Sequence, residues 1–223
     1  MIVQDWMTKG SINIGMDSSV LDAADIIRRQ TIRQLPVIDE GGRLAGIVSD
    51  RDVRDAMPSK FLASDSLSGD GLMGLKVKTI MTEDPLTIPP DATMEMAADL
   101  LMLNKIGGLP VVSPGNILLG IVTESDVFRF LCSVTGVSRQ GIQLVFLLSD
   151  DPGSVIELLS HLGDQDIRLT SVLTSYENVK PGKRKVSIRV QSAGKHTVDS
   201  LIELLRGSYE LLYYVHDGKA VAL

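Results

Sequence analysis

Apolar residues recur along the chain with two periods, and the periods alternate. Val20, Ala23, Ala24 and Ile27 fall at i, i+3, i+4 and i+7, which predicts one buried stripe on a helix. Met94, Ala97, Ala98 and Leu101 repeat that spacing. The alanines keep each stripe thin, which suits close packing on a sheet. Asp17 and Asp91 precede these helices and read as N-caps. Short apolar runs follow each helix. Leu35-Pro36-Val37-Ile38 and Leu44-Ala45-Gly46-Ile47-Val48 are separated by Glu40-Gly41-Gly42, and Leu109-Pro110-Val111-Val112 and Leu118-Leu119-Gly120-Ile121-Val122 by Pro114-Gly115-Asn116. These predict antiparallel strand pairs joined by tight turns, with proline at the strand start, where a missing N–H is tolerated.

The two patterns are one pattern written twice. Residues from Val3 to Val53 superimpose without a gap on Val77 to Val127, at an offset of 74. Met7-Thr8 meets Met81-Thr82, Leu35-Pro36-Val37 meets Leu109-Pro110-Val111, and Gly46-Ile47-Val48 meets Gly120-Ile121-Val122. Each unit reads strand, helix, strand, strand, helix, and each leaves an apolar face for the other to cover. The units span 1–58 and 76–135, with a linker over 59–75 that contains the polar, glycine-rich run Ser64 to Gly71.

A different pattern begins near Gly141. A strand over Ile142–Leu148 is followed by Asp150-Asp151-Pro152-Gly153 and a helical stripe of Val155, Leu158, Leu159 and Leu162. Strands over Ile167–Ser175 and Lys185–Val190, a helix over His196–Leu205 and a strand over Tyr209–Val215 complete a βαββαβ order across 139–218, that of a ferredoxin-like sandwich. The predicted class is α+β.

The duplicated segment ends in glycine, two apolar residues, a hydroxyl and, three residues on, an aspartate: Ser49 with Asp52, Thr123 with Asp126. At a strand-to-helix turn, free N–H groups and a hydroxyl suit a phosphate. A carboxylate one turn along accepts from the vicinal hydroxyls of a ribose. The same spacing also describes a capping box, which only starts a helix. Arg51 reads either as a phosphate partner or as a surface arginine paired with Asp55; Glu124, at the equivalent end of the second unit, opposes an anion.

With Leu-Pro-Val and the leading Met-Thr, these signatures resemble a tandem pair of CBS domains, a Bateman module. The resemblance implies two βαββα repeats packed about a pseudo-twofold axis, binding AMP, ADP, ATP or a related adenosyl compound between them. It further implies a base slot lined in the second repeat by Thr87, Ile88, Gly107, Gly108, Leu109 and Pro110. The first-repeat equivalents are Asn13, Ile14, Arg33, Gln34, Leu35 and Pro36, where Arg33-Gln34 would either narrow the slot that Gly107-Gly108 leaves open or reach a phosphate. The third segment resembles an ACT domain. In that family the turn matched by Asp150, Pro152 and Gly153 often holds an amino acid at a dimer interface; the alternative is that Asp151 caps the helix and Pro152 opens it. The order CBS–CBS–ACT is similar to AcuB-type acetoin-utilisation proteins. It implies a regulatory homodimer that signals to a protein partner, the alternative being a constitutive dimerisation scaffold with vestigial pockets.

Composition narrows the classes. The 223 residues carry a net charge of −6, against a nucleic-acid binder. The one basic cluster, Lys180, Lys183, Arg184 and Lys185, reads as a solvated hairpin tip, the alternative being a site for phosphate or an acidic partner. Aromatics are only 4% of the chain, so the cores are aliphatic. The single cysteine, Cys132, forms no internal disulfide and reads as a buried, inert thiol in a cytoplasmic protein. No run reaches the roughly 20 apolar residues of a membrane span. His161, His196 and His216 have no metal-ligand spacing with Cys132, and no P-loop or dinucleotide fingerprint is present, so the expectation is a protein without catalysis, metal or catalytic cofactor.

Overall fold

The computed structural model describes residues 1–57 and 74–223 and divides into two compact units, Met1–Phe130 and Leu131–Leu223. The linker run Ser64 to Gly71 lies outside the described residues.

In the first unit, the first repeat comprises β1 (Thr8–Lys9), β2 (Ile14–Gly15), α1 (Val20–Gln30), β3 (Gln34–Ile38), β4 (Leu44–Ser49) and α2 (Asp50–Ala56). The second comprises β5 (Thr82–Glu83), α3 (Met94–Asn104), β6 (Gly108–Val112), β7 (Leu118–Thr123) and α4 (Glu124–Thr135), whose residues from Leu131 on belong to the second unit, with Ile88 bridging to Val111 where the first repeat has β2. Val20, Ala23 and Ile27 are buried on α1, as are Met94, Ala97 and Leu101 on α3, the stripes the periodicity predicts. The caps fall two residues later than Asp17 and Asp91. Ser19 and Thr93 accept from the N–H groups of Asp22 and Met96. Asp17 instead lies 2.7 Å from Lys78, whose hydrogen bond and charge hold its carboxyl below the ordinary aspartate range. Pro36 and Pro110 sit within their strands rather than at the start. The Pro110 carbonyl accepts from Ile88 N–H, so its missing N–H faces the edge where the first strand has ended.

The two repeats exchange their leading strands. β1 pairs with β7 of the second repeat and β5 with β4 of the first. This explains two features of the repeat at once. A Cβ on Gly46 would stand 2.8 Å from the Thr82 carbonyl oxygen, and one on Gly120 would collide with the Thr8 carbonyl. Met-Thr and the signature glycine are therefore two sides of one contact, made twice. The backbone bonds around it obey the same twofold. Val3 N–H donates to the Ala92 carbonyl and Val77 N–H to that of Ser18; Leu44 N–H donates to the Asn116 carbonyl and Leu118 N–H to that of Gly42.

The second unit contains β8 (Ile142–Ser149), α5 (Ser154–Asp164), β9 (Leu169–Ser175), β10 (Lys183–Val190), α6 (Val198–Ser208), β11 (Leu211–His216) and β12 (Lys219–Ala222). They form one antiparallel sheet of order β12-β11-β8-β10-β9. Ile142, Leu144, Phe146 and Leu148 pack with Leu158, Leu162, Leu201 and Leu205 from the two helices. Each such side chain contributes about 1.5–3 kcal/mol on burial. β12 extends the sheet beyond the six predicted elements.

Three local expectations are corrected. α5 begins at Ser154, capped by Gly153 at φ +95° without a side-chain bond, so neither Asp151 nor Pro152 starts the helix. Cys132 is exposed: α4 turns Phe130 inward, and the apolar run around it spirals past the surface, leaving Phe128 and Leu131 exposed too. Arg184 is not solvated; its side chain is 17% exposed and reaches back to the Ser154 hydroxyl at 3.1 Å.

Candidate functional site

Strand pairing gathers the singled-out residues into one corner of each repeat. In the first, Gln34 lies opposite Ser49, Asp50 N–H donates to the Arg33 carbonyl, and Ile14 pairs with Val37 beside Leu35-Pro36. In the second, Gly108 lies opposite Thr123, Glu124 N–H donates to the Gly107 carbonyl, and Ile88 N–H to that of Pro110 beside Leu109. Ile14, Leu35, Pro36, Ile88, Leu109 and Pro110 are buried, Thr87 is half-buried and Asn13 exposed.

Both signatures close as capping boxes. The Ser49 hydroxyl and N–H donate to Asp52 Oδ2 at 2.6 and 2.7 Å, and Asp52 N–H donates back at 3.2 Å. Thr123 and Asp126 repeat this at 2.8, 2.9 and 3.4 Å. Each cap uses one carboxylate oxygen, so the second decides what else the aspartate can bind. In the second repeat that oxygen is taken: Arg129 lies 2.9 Å from Asp126 Oδ1, and Asp126 is only 4% exposed. Arg129 also donates to the Trp6 carbonyl and lies over the Trp6 ring, which packs edge-on against Phe130. In the first repeat the position of Arg129 is held by Asp55, and among the described residues no basic group pairs with Asp52. Asp52 Oδ1 therefore has no partner among the described residues. The i, i+3 spacing of Asp126 and Arg129 was the sequence signal for this difference.

Charge at the helix starts also differs. Arg51 is exposed, and the pair with Asp55 is not among the ion pairs of the described residues; Asp50 pairs with Arg54 at 3.0 Å instead. Ser125 and Glu124 hold the corresponding positions in the second repeat and are exposed.

The glycine pair is not an open slot. The amide of Gln34 reaches across from the first repeat and lies against Gly107 and Gly108. A Cβ on Gly108 would collide with Gln34 Oε1, and one on Gly107 would stand 3.5 Å from Nε2. That Oε1 is buried with no hydrogen-bond partner among the described residues. An unmet buried acceptor costs about 1–3 kcal/mol, so a ligand that brings a donor there relieves it.

In the second unit, Asp150 accepts from the Tyr176 hydroxyl at 3.1 Å and lies 3.6 Å from Arg184 Nε, a buried donor with no hydrogen bond among the described residues. Pro152 and Gly153 are exposed beside it. The histidines serve other contacts: His161 with the Tyr209 hydroxyl at 3.3 Å and His196 with Gln165 at 2.9 Å. Burial pushes the Tyr209 hydroxyl above the usual tyrosine range.

A family model described as the CBS domain matches residues 3–59 and 77–133, together about half of the chain. A CBS domain-containing protein of Dictyostelium discoideum is 35% identical over 135 residues, 60% of this chain and 93% of that protein. A solved structure of CBSX2 in complex with AMP is similar over 62% of this chain and 98% of that one, with 31% identity and a TM-score of 0.51. A putative acetoin utilization protein (AcuB) from Vibrio cholerae is similar over 62% and 95%, with 27% identity and a TM-score of 0.52.

Proposed function

The chain belongs to the CBS domain family, and from that premise we propose that it is a non-catalytic sensor of adenosine nucleotides that passes their occupancy to a protein partner. The observation that carries this is the carboxylate oxygen of Asp52 that has no partner among the described residues, set in the first turn of α2 beside the buried Ile14, Leu35 and Pro36. It can accept two ribose hydroxyls while its other oxygen holds the cap. Arg51 supplies a positive charge at the phosphate end. The AMP complex of CBSX2, at 31% identity, supports the ligand class. Calorimetric titration of the full chain with AMP, ADP, ATP and S-adenosylmethionine tests the reading. Asp52→Ala should weaken the best of these about ten- to a hundredfold, the loss of one charged acceptor. No heat from any of the four ligands would refute it.

The same proposal assigns the second unit to the ACT fold. Its βαββαβ order and its Asp150-x-Pro152-Gly153 turn support this, with an amino acid as the ligand at that turn. It also assigns a homodimer. Met102, Leu103 and Phe128 are exposed on the helices of the second repeat, where the first carries Arg28, Arg29 and Arg54. Large exposed apolar side chains of this kind suit an interaction surface. Phe128→Arg, which copies the first repeat, should lower the mass measured by light scattering to that of a monomer; an unchanged mass refutes the placement. These side chains also favour the second reading, a dimerisation scaffold, and ligand titration separates the two.

A further inference from the structure

The sheet of the second unit turns alternate residues away from its helices. Ile142, Leu144 and Phe146 enter the helix-side core, so Gln143 points to the opposite face, next to Arg189 and Ser187 on β10 and Ser171 on β9. That face holds a concavity of about 230 Å³ beside the end of α4. Val137 and Leu173, 54% and 40% exposed, form its apolar walls.

The hydrogen bonds inside it are unevenly spent. Arg189 Nε donates to the Thr135 carbonyl at 3.1 Å, and its Nη2 to Gln143 Oε1 at 3.0 Å. The Ser171 hydroxyl donates to the same Thr135 carbonyl at 2.9 Å, and Gln143 Nε2 donates to the Ser187 oxygen at 2.9 Å. The acceptors are thus engaged. What remains among the described residues is donors: Nη1 of Arg189 and the proton of the Ser187 hydroxyl. No carboxylate lines the concavity, and none pairs with Arg189 among the described residues. The Arg189 guanidinium is thus a half-buried cation without a counter-ion among the described residues. Clamping the last carbonyl of α4 accounts for Nε and Ser171, not for the remaining donors.

We propose that this concavity binds a short-chain aliphatic monocarboxylate, its carboxylate on the free donors of Arg189 and Ser187 and its tail against Val137 and Leu173. A planar carboxylate takes two guanidinium N–H groups at once. The volume is below that of a typical drug-sized site and holds a chain of about three to five carbons. The missing acidic side chain excludes an α-ammonium group, which separates this site from an amino-acid site at Asp150 in both place and chemistry.

Saturation-transfer NMR on the full chain, at constant ionic strength, tests the assignment with sodium butyrate, 1-butanol and 2-aminobutyrate. Butyrate should bind, and the other two should bind at least about tenfold more weakly, as expected for losing a charged hydrogen bond or adding an unpaired charge. Arg189→Gln should weaken butyrate about ten- to a hundredfold. Because Arg189 also holds the end of α4, Leu173→Glu is the companion variant: it leaves that clamp in place, sets a carboxylate at the wall and should also abolish butyrate binding. Absence of butyrate binding, equal binding of butyrate and 2-aminobutyrate, or unchanged affinity in Leu173→Glu would each overturn the proposal.

Discussion

Gly120→Ala tests the strand exchange most directly. The new Cβ would collide with the Thr8 carbonyl oxygen, a backbone atom that no rotamer change can move. Relief requires β1 to withdraw from β7. That forfeits the pairing of Thr8 with Ile121 and Lys9 with Gly120, and the bond from Gly10 N–H to the Leu119 carbonyl. Two or three such bonds are worth about 0.5–1.5 kcal/mol each, net of water. Alanine regains about 0.5–1 kcal/mol because glycine has more freedom to lose. The balance is a destabilisation of about 1–3 kcal/mol, or roughly 1 M in the urea midpoint for a domain of this size. Trp6, the only tryptophan, lies two residues before Thr8, so its fluorescence follows this unit and no other. Gly107→Ala is the control, since its Cβ would meet only ordinary contacts, 3.5 Å from Gln34 and 3.8 Å from Glu124. It should stay within about 0.5 kcal/mol of the parent. A Gly120→Ala midpoint equal to the parent's, or one matched by Gly107→Ala, would show that the glycine is not there to admit the strand.

Asp126→Ala should cost about 1–2 kcal/mol of stability in the first unit, because it removes half of a capping box while Arg129, its side chain 58% exposed, stays solvated, and a urea melt reads this apart from any ligand effect. Gln34→Leu should leave the ligand-free protein as stable or more stable in a urea melt, since it deletes a buried acceptor that is unmet among the described residues. In Lys78→Ala the carboxyl carbon shift of Asp17 should titrate at higher pH, because Lys78 is the main group holding it low. That pair favours folding above the ordinary aspartate range, and the contribution fades as pH falls through the lowered value in the native state.

The helical stripes, the strand pairs and the duplication were legible because each rests on spacing within a few residues. The caps were read two residues early because aspartate is as good a cap as serine; what chose Ser19 was Asp22 three residues on, which completes the box. Cys132 was misread because an apolar run signals burial only if the whole helix circumference is covered, and α4 has an outer face. The strand exchange and the position of Gln34 were not legible at all. Both join residues far apart in the chain, and no local period encodes which repeat a side chain will enter. The signature itself was read two ways, as cap and as ligand site, and its geometry lets Asp52 serve both through separate oxygens.

The exchanged strands also speak to ancestry. A lone 74-residue unit would carry both the Met-Thr segment and the glycine ledge, and it would lack only another copy of itself. Two identical chains could have closed on each other as these halves do, at the mercy of concentration. Joining two such units in one chain makes that encounter intramolecular, with an effective concentration on the order of millimolar. Tethered halves need not be alike. Gln34 against Gly108, Asp55 against Arg129 and Arg54 against Phe128 are differences that a pair of identical chains could not carry.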